Sequence, residues 1–253
     1  MKEKPDRAAW LKGGKARCNV RPEAWSRPYR FVLLGAPGVG KGTQAELLAE
    51  RFGCCHLSTG DVFRAAKMSP AECQFSPAMA EAVKCMNAGQ LVPDQIVLSL
   101  IAERAKCLRC RGGFLLDGFP RTVAQAEALD KILVKQRVKL DAVLSYELSL
   151  ETIVARLGGR RTCPICKRVY HNEAKPPKQL GFCDDCGVEL FQRDDDRLET
   201  ICIRMEAYEE STAPLVAFYR HQGVLISIAA ENTPEQTFAR TLEALNMQRT
   251  SMF

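Results

Sequence analysis

Lys41 stands inside GAPGVGKGTQ, residues 35–44, a run with four glycines that directly follows the apolar Phe31-Val32-Leu33-Leu34. Glycines present no side chain, so backbone N–H groups can curl around phosphate oxygens, and a helix that follows adds the positive end of its dipole. In such a cradle, formed by Gly38, Val39, Gly40 and Gly42, Lys41 can reach the β- and γ-phosphates of a nucleotide. Thr43 offers a hydroxyl toward a magnesium ion. The strict pattern GxxxxGK[ST] is not met, because Gly42 takes its last position and Thr43 follows. The competing reading is a glycine-rich turn that binds nothing; the apolar strand before and the helix after favour phosphate.

A second set of residues suits phosphate as well. Thr59, Arg64, Gly118, Arg121 and Gln125 fall on loops after two expected strands, CCHLS and FLLD. In an open parallel sheet, ligands collect at the carboxyl ends of the strands. Arg64 or Arg121 alone could be an ordinary surface arginine, but together with the glycine loop they form a pattern. Arginine holds phosphate oxygens bidentately and keeps its charge. Further candidates are Arg156, Arg160, Arg193 and Arg204, the first two one helical turn apart with the hinge-like Gly158-Gly159 between them. Asp117 closes FLLD, either near a magnesium ion or as a buried acid that orients the loop. Asp195 and Asp196 either organise the arginines or cap a helix, with Glu199 three residues beyond Asp196.

Cys163-Pro-Ile-Cys166 and Cys183-Asp-Asp-Cys186 are two CxxC pairs sixteen residues apart, the spacing of a four-cysteine structural zinc site. Four thiolates close the coordination sphere, so a metal there holds the segment together and has no open position for catalysis. Reduced thiols without metal, or two disulfides, are the alternatives. His171 would be a fifth donor and reads as an ordinary polar residue. Cys107 and Cys110 form a third CxxC with no second pair, and it reads as incidental.

These groups need a frame. The chain alternates strands and helices: strand 31–34, helix to Phe52 with Gly53 as its cap, strand CCHLS, helical pieces over 58–92, helix 94–105, strand FLLD, helix 122–136, strand 141–148, helix 149–157, helix 196–210, another to about Arg220, strand 224–228 and a final helix. That order predicts an α/β fold, a parallel sheet with helices on both faces, and makes 58–92 and 158–194 candidate insertions. At 253 residues and 46% apolar content the chain can bury a large core. Neither a membrane-length apolar run nor the apolar centre of a secretory signal is present, and twelve cysteines without such a signal are expected to be reduced. The formal charge of +6 resides in residues 1–30, with nine Lys/Arg against three Asp/Glu; the remainder holds 27 of each. A polyanion partner therefore rests on the leader alone. Residues 1–29 read as a basic, flexible N-terminal extension, or a start assigned too early, and are too acidic and too poor in serine for a mitochondrial presequence.

Taken in order, GAPGVGKGTQ, STGDVFR, LLDGFPRT and RRTCPICKRVYH resemble the adenylate kinases of the long-lid, zinc-containing type, over roughly residues 31–246. The resemblance implies a P-loop NTPase-like sheet in a core of residues 30–57, 93–157 and 195–253, an AMP-binding segment 58–92 and a zinc-binding lid 158–194. It implies Mg-dependent transfer of the terminal phosphate of ATP to AMP, giving two ADP, by a cytoplasmic monomer with neither nucleic-acid nor membrane partners. Gly38, Val39, Gly40, Lys41, Gly42 and Thr43 would bind ATP, with Arg156 stacked on its adenine and Arg160, Val169, Tyr170 and Asn232 beside it. Arg64 and Arg121 would clamp the AMP phosphate, Gln125 would contact its adenine, and Thr59, Gln90, Leu91, Val92, Gly118, Phe119 and Pro120 would line its pocket. Lys41, Arg121, Arg160, Arg193 and Arg204 would carry the transfer, the last two also touching AMP, with Thr43 and Asp117 near magnesium and Cys163, Cys166, Cys183 and Cys186 on zinc. The chain departs from the pattern at AAKMSPAECQFSPAM, which is long and proline-punctuated. The rival readings are a GTP:AMP phosphotransferase, a UMP/CMP kinase and, in another class, a zinc-ribbon RNA-binding NTPase.

Overall fold

Phe31-Val32-Leu33-Leu34 lie on the central strand of a five-stranded sheet in which every pairing is parallel. The structure is a computed structural model and describes residues 8–12, 27–68, 77–166, 168–231 and 233–250. In chain order the elements are α1 (Ala8–Lys12), β1 (Tyr29–Leu34), α2 (Lys41–Phe52), β2 (Cys55–Ser58), α3 (Thr59–Met68), α4 (Pro77–Asn87), α5 (Asp94–Glu103), β3 (Gly113–Asp117) and α6 (Val123–Gln136). There follow β4 (Ala142–Glu147), α7 (Leu150–Gly158), β5 (Arg160–Thr162), β6 (Val169–His171), α8 (Leu198–Ala207), α9 (Pro214–His221), β7 (Leu225–Ala229) and α10 (Pro234–Thr250). The large sheet runs β2-β3-β1-β4-β7, and β5-β6 form a separate antiparallel pair.

Side chains alternate across a strand, so a sheet covered on both sides needs apolar residues at consecutive positions. Phe31 and Leu33 of β1, Leu115 of β3 and Leu144 of β4 pack with Ala45 and Leu48 of α2 and with Phe238 and Leu245 of α10. Val32, Leu34, Phe114, Leu116 and Val143 point the other way, into a core shared with α3, α5, α6 and α9. The helices cover both faces, as expected from the order of elements.

Helix ends follow local chemistry in most places. Gly53 caps α2 with φ 64°, a left-handed conformation that suits glycine. Thr122 and Ser149 accept from the backbone N–H three residues on and start α6 and α7. Asp196 does not cap a helix: α8 begins at Leu198 behind Arg197, and the Asp196 carboxylate is used elsewhere. Between α8 and α9 the backbone widens into one turn of π-helix, Tyr208–Thr212.

Part of the leading segment is docked. Trp10 of α1 is fully buried; its Nε1 donates to Ser58 O at 2.9 Å, and the buried Arg104 donates from Nε to Trp10 O at 2.6 Å. The rest of residues 1–29 up to Ser26, and residues 69–76 of the proline-punctuated stretch, lie outside the described residues, as does Asn232.

Candidate active site

Strand register brings the loops together. Leu33 of β1 and Ser58 of β2 both sit opposite Asp117 of β3, so the glycine loop, Thr59 and Gly118 all emerge at the carboxyl edge of the sheet. An open cleft of about 2700 Å³ lies above that edge, larger than the roughly 300–1,000 Å³ of a pocket for one small ligand. Gly38, Val39, Gly40, Lys41, Gly42, Thr43, Thr59, Arg64, Gln90, Leu91, Val92, Asp117, Gly118, Pro120, Arg121, Gln125, Arg156, Arg160, Val169, Tyr170, Arg193 and Arg204 all line it. Phe119 lies beneath the wall, fully buried in the core.

The glycine loop turns tightly over β4 and α7. Gly35 has φ 134° and Gly38 φ 82°, and a Cβ on Gly38 would stand 2.7 Å from Leu157 Cγ. Lys41 Nζ donates to Gly35 O at 2.6 Å and Ala36 O at 2.9 Å, which folds its side chain back over the loop. Burial pushes the Lys41 ammonium down to about 7; Asp117 opposes this, whereas Arg121, Arg204 and Arg160 add to it. Burial alone would raise the Asp117 carboxyl, but the hydrogen bond and charge of His56 and the charge of Lys41 hold it below the usual carboxylate range. Arg156 reaches across the loop from α7, donating to Val39 O at 3.4 Å and Ala230 O at 3.1 Å.

On the opposite wall Thr59 Oγ1 donates to Gly118 O at 3.0 Å, and Arg121 Nε donates to the same carbonyl at 3.1 Å. Arg121 N donates to Gln125 Oε1 at 2.8 Å, and Thr212 Oγ1 donates to Arg121 O at 2.9 Å. The π-turn delivers that hydroxyl, a support the sequence pattern does not reveal. Arg64 Nη2 pairs with Asp61 at 2.6 Å.

The remaining cations come from β5, from the segment between β6 and α8, and from α8. Arg160 pairs bidentately with Asp196, whose side chain is 0% exposed, and Arg204 Nη1 reaches Asp196 Oδ1 at 3.2 Å and Asp195 Oδ2 at 3.1 Å. Arg193 donates from Nε to Thr162 Oγ1 at 3.0 Å. Burial, then the charges of Arg160 and Arg64, push Arg193 down to about 9. Arg121 is likewise depressed, first by burial and then by Arg204. Lys41, Arg64, Arg121, Arg160, Arg193 and Arg204 thus repel one another around one space, with Asp61, Asp117, Asp195 and Asp196 offsetting part of the charge. Such a concentration of positive charge is relieved by a polyanion.

The sulfurs of Cys163, Cys166, Cys183 and Cys186 lie within 4.8 Å of one another. Metal–sulfur bonds of about 2.3 Å in a tetrahedron put sulfurs about 3.8 Å apart, so the group could hold a metal ion. The Tyr170 ring packs into this cluster, its hydroxyl accepting from Asp184 N at 2.9 Å. His171 stays out of it and accepts through Nδ1 from Glu173 N and Ala174 N.

A family model described as adenylate kinase matches residues 33–224. A Carboxydothermus hydrogenoformans protein named adenylate kinase is 46% identical over 216 residues, which span 85% of this chain and 99% of that protein. Similar proteins of the same name occur in Caldicellulosiruptor saccharolyticus, 43% identical over 219 residues (87% of this chain, 100% of that one), and in Streptomyces coelicolor, 46% identical over 218 residues (85% and 98%).

Proposed function

The chain belongs to the adenylate kinase family, and from that premise we propose that it catalyses reversible phosphoryl transfer from ATP to AMP, giving two ADP. The observation that carries this reading is the convergence of Lys41 and five arginines on one cleft large enough for two nucleotides. The attacking oxygen belongs to an AMP phosphate that is already anionic, so no general base is needed to create the nucleophile. What the protein must supply is in-line positioning and relief of repulsion between two phosphate chains.

In this reading the loop from Gly38 to Thr43 cradles the ATP phosphates, with Arg156 and Val169 beside the donor base. Arg64 and Arg121 hold the AMP phosphate, and Thr59, Gln90, Leu91, Val92, Gly118 and Gln125 surround its base and sugar. Lys41, Arg160, Arg193 and Arg204 close on the group in transit, where each positive charge is worth most once water is excluded. Magnesium bound with the nucleotide near Thr43 and Asp117 would neutralise phosphate charge. The ionised state of Asp117 supports that assignment.

Incubation with ATP and AMP should yield ADP, and titration of RNA at physiological salt should show no comparable binding; RNA binding without ADP formation would overturn the reading. Trials with GTP and with UMP or CMP separate the neighbouring kinases, which the relatives matched along their whole length do not favour. We read the enzyme as a cytoplasmic monomer; among the described residues no helix is long and apolar enough to cross a membrane.

Zinc is the metal best suited to the four thiolates, in a structural role. Cys163→Ser is therefore expected to lower the melting temperature by on the order of 10 °C while much of the activity survives in the cold. Calorimetry with metal analysis of the same sample checks this; lost metal with an unchanged melting curve contradicts it.

A further inference from the structure

The side-chain amide of Gln125 is held at both ends. Its Oε1 accepts from Arg121 N at 2.8 Å, and its Nε2 donates to Asp94 Oδ1 at 2.7 Å. The other carboxylate oxygen, Asp94 Oδ2, accepts from Thr122 Oγ1 at 3.0 Å, and that hydroxyl accepts from Gln125 N at 3.1 Å. Gln125 is 1% exposed, yet it lines the cleft. Asp94 is the first residue of α5 and comes directly after the Gln90–Pro93 stretch.

An amide has nearly the same shape either way round, so only its partners decide where the oxygen points. An ionised carboxylate can only accept, so it selects Nε2; a backbone N–H can only donate, so it selects Oε1. The two demands agree and fix one orientation. One Nε2 hydrogen and one Oε1 lone pair remain for a ligand, in a set order. A 6-aminopurine offers a ring acceptor beside an amino donor, whereas a 6-oxopurine offers a ring donor beside a carbonyl acceptor. The reversed order would set donor against donor and acceptor against acceptor at a buried amide, where unmatched polar groups are costly.

We propose that Asp94 is a positioning residue that locks the amide orientation of Gln125 and so makes the acceptor site choose a 6-aminopurine monophosphate over a 6-oxopurine one. The proposal rests on the reading that Gln125 meets the acceptor base. Asp94 itself touches no nucleotide; it acts through Gln125.

The test compares kcat/KM for AMP and inosine monophosphate at saturating ATP in the whole protein and in Asp94→Asn, Asp94→Ala and Gln125→Ala. An asparagine can donate as well as accept, so Asp94→Asn withdraws the carboxylate's demand and leaves Arg121 N–H alone to hold the orientation; the AMP-to-inosine ratio should fall about tenfold, with the KM for ATP unchanged. Asp94→Ala should shift the ratio in the same direction and lower the melting temperature by a few degrees. An equal loss for both nucleotides, or a change in melting alone, marks a purely structural role and overturns the proposal. If Gln125→Ala collapses the ratio and neither Asp94 variant moves it, Asp94 is refuted while the reading of Gln125 stands. If Gln125→Ala leaves the ratio intact, the reading of Gln125 fails and the proposal with it.

Discussion

Lys41→Ala lowers the rate of ADP formation by on the order of a thousandfold or more and leaves the empty protein at least as stable as the wild type at pH 7. The rate loss follows from removing the ammonium that stands over the glycine loop, where a few kcal/mol of charge stabilisation reside. The stability result follows from linkage. The Lys41 proton affinity is depressed to about 7 in the folded protein, against an ordinary value of 10.5, so the unfolded chain binds the proton more readily between these values. Wild-type stability therefore carries its full penalty below about pH 7, and the penalty is relieved as pH rises toward 10.5. Alanine is free of it, so the difference between the two proteins shrinks over the same window. Thermal melts at several pH values, run beside the ADP assay, check both parts. A near-normal rate would remove Lys41 from the phosphates, and a melting temperature well below wild type at pH 7 would trace the lost activity to damage of the loop.

Arg204→Ala is expected to lose a hundredfold to a thousandfold in rate and about 3 kcal/mol of stability together. Arg204 holds Asp195 and the fully buried Asp196, and its removal leaves Arg160 to answer that carboxylate alone. A guanidinium more firmly claimed by Asp196 is less available to a phosphate, so the two losses are linked. Arg204→Lys separates them, since an ammonium restores a charge but not a planar fork. It should recover most of the stability and little of the rate, read by denaturant titration and steady-state kinetics. Full recovery of rate by lysine would show that charge alone suffices.

How much of this can be read without coordinates depends on whether the causes are local. The strand, glycine loop and helix at Phe31–Phe52 are legible because apolar run, turn and cap follow one another within a few residues. The cysteine pairs are legible because a metal dictates spacing. Arg121 and Gln125 are legible as ligand candidates because they follow an expected strand, where an open parallel sheet collects ligands, but which part of a ligand each would meet comes only from the resemblance. Asp196 marks a choice that local pattern leaves open: a place before a helix suits a cap and nearby arginines suit a partner, and the second reading holds because charge pairing in a buried place outweighs a surface cap. The π-turn that seats Thr212 against Arg121 O has no signal in the local pattern, and the left-handed cap at Arg137, φ 55°, lacks the glycine that would announce it. The contact between His56 and Asp117 joins neighbouring strands far apart in the chain.

Trp10 is one of only two tryptophans in the chain, and its indole is bonded to the carbonyl of the residue just before Thr59. A sealed indole of this kind emits at short wavelength, and its brightness is sensitive to small changes in the dipoles around it. The molecule therefore carries its own optical gauge beside Thr59, one that would report a shift at the start of α3 without an attached dye.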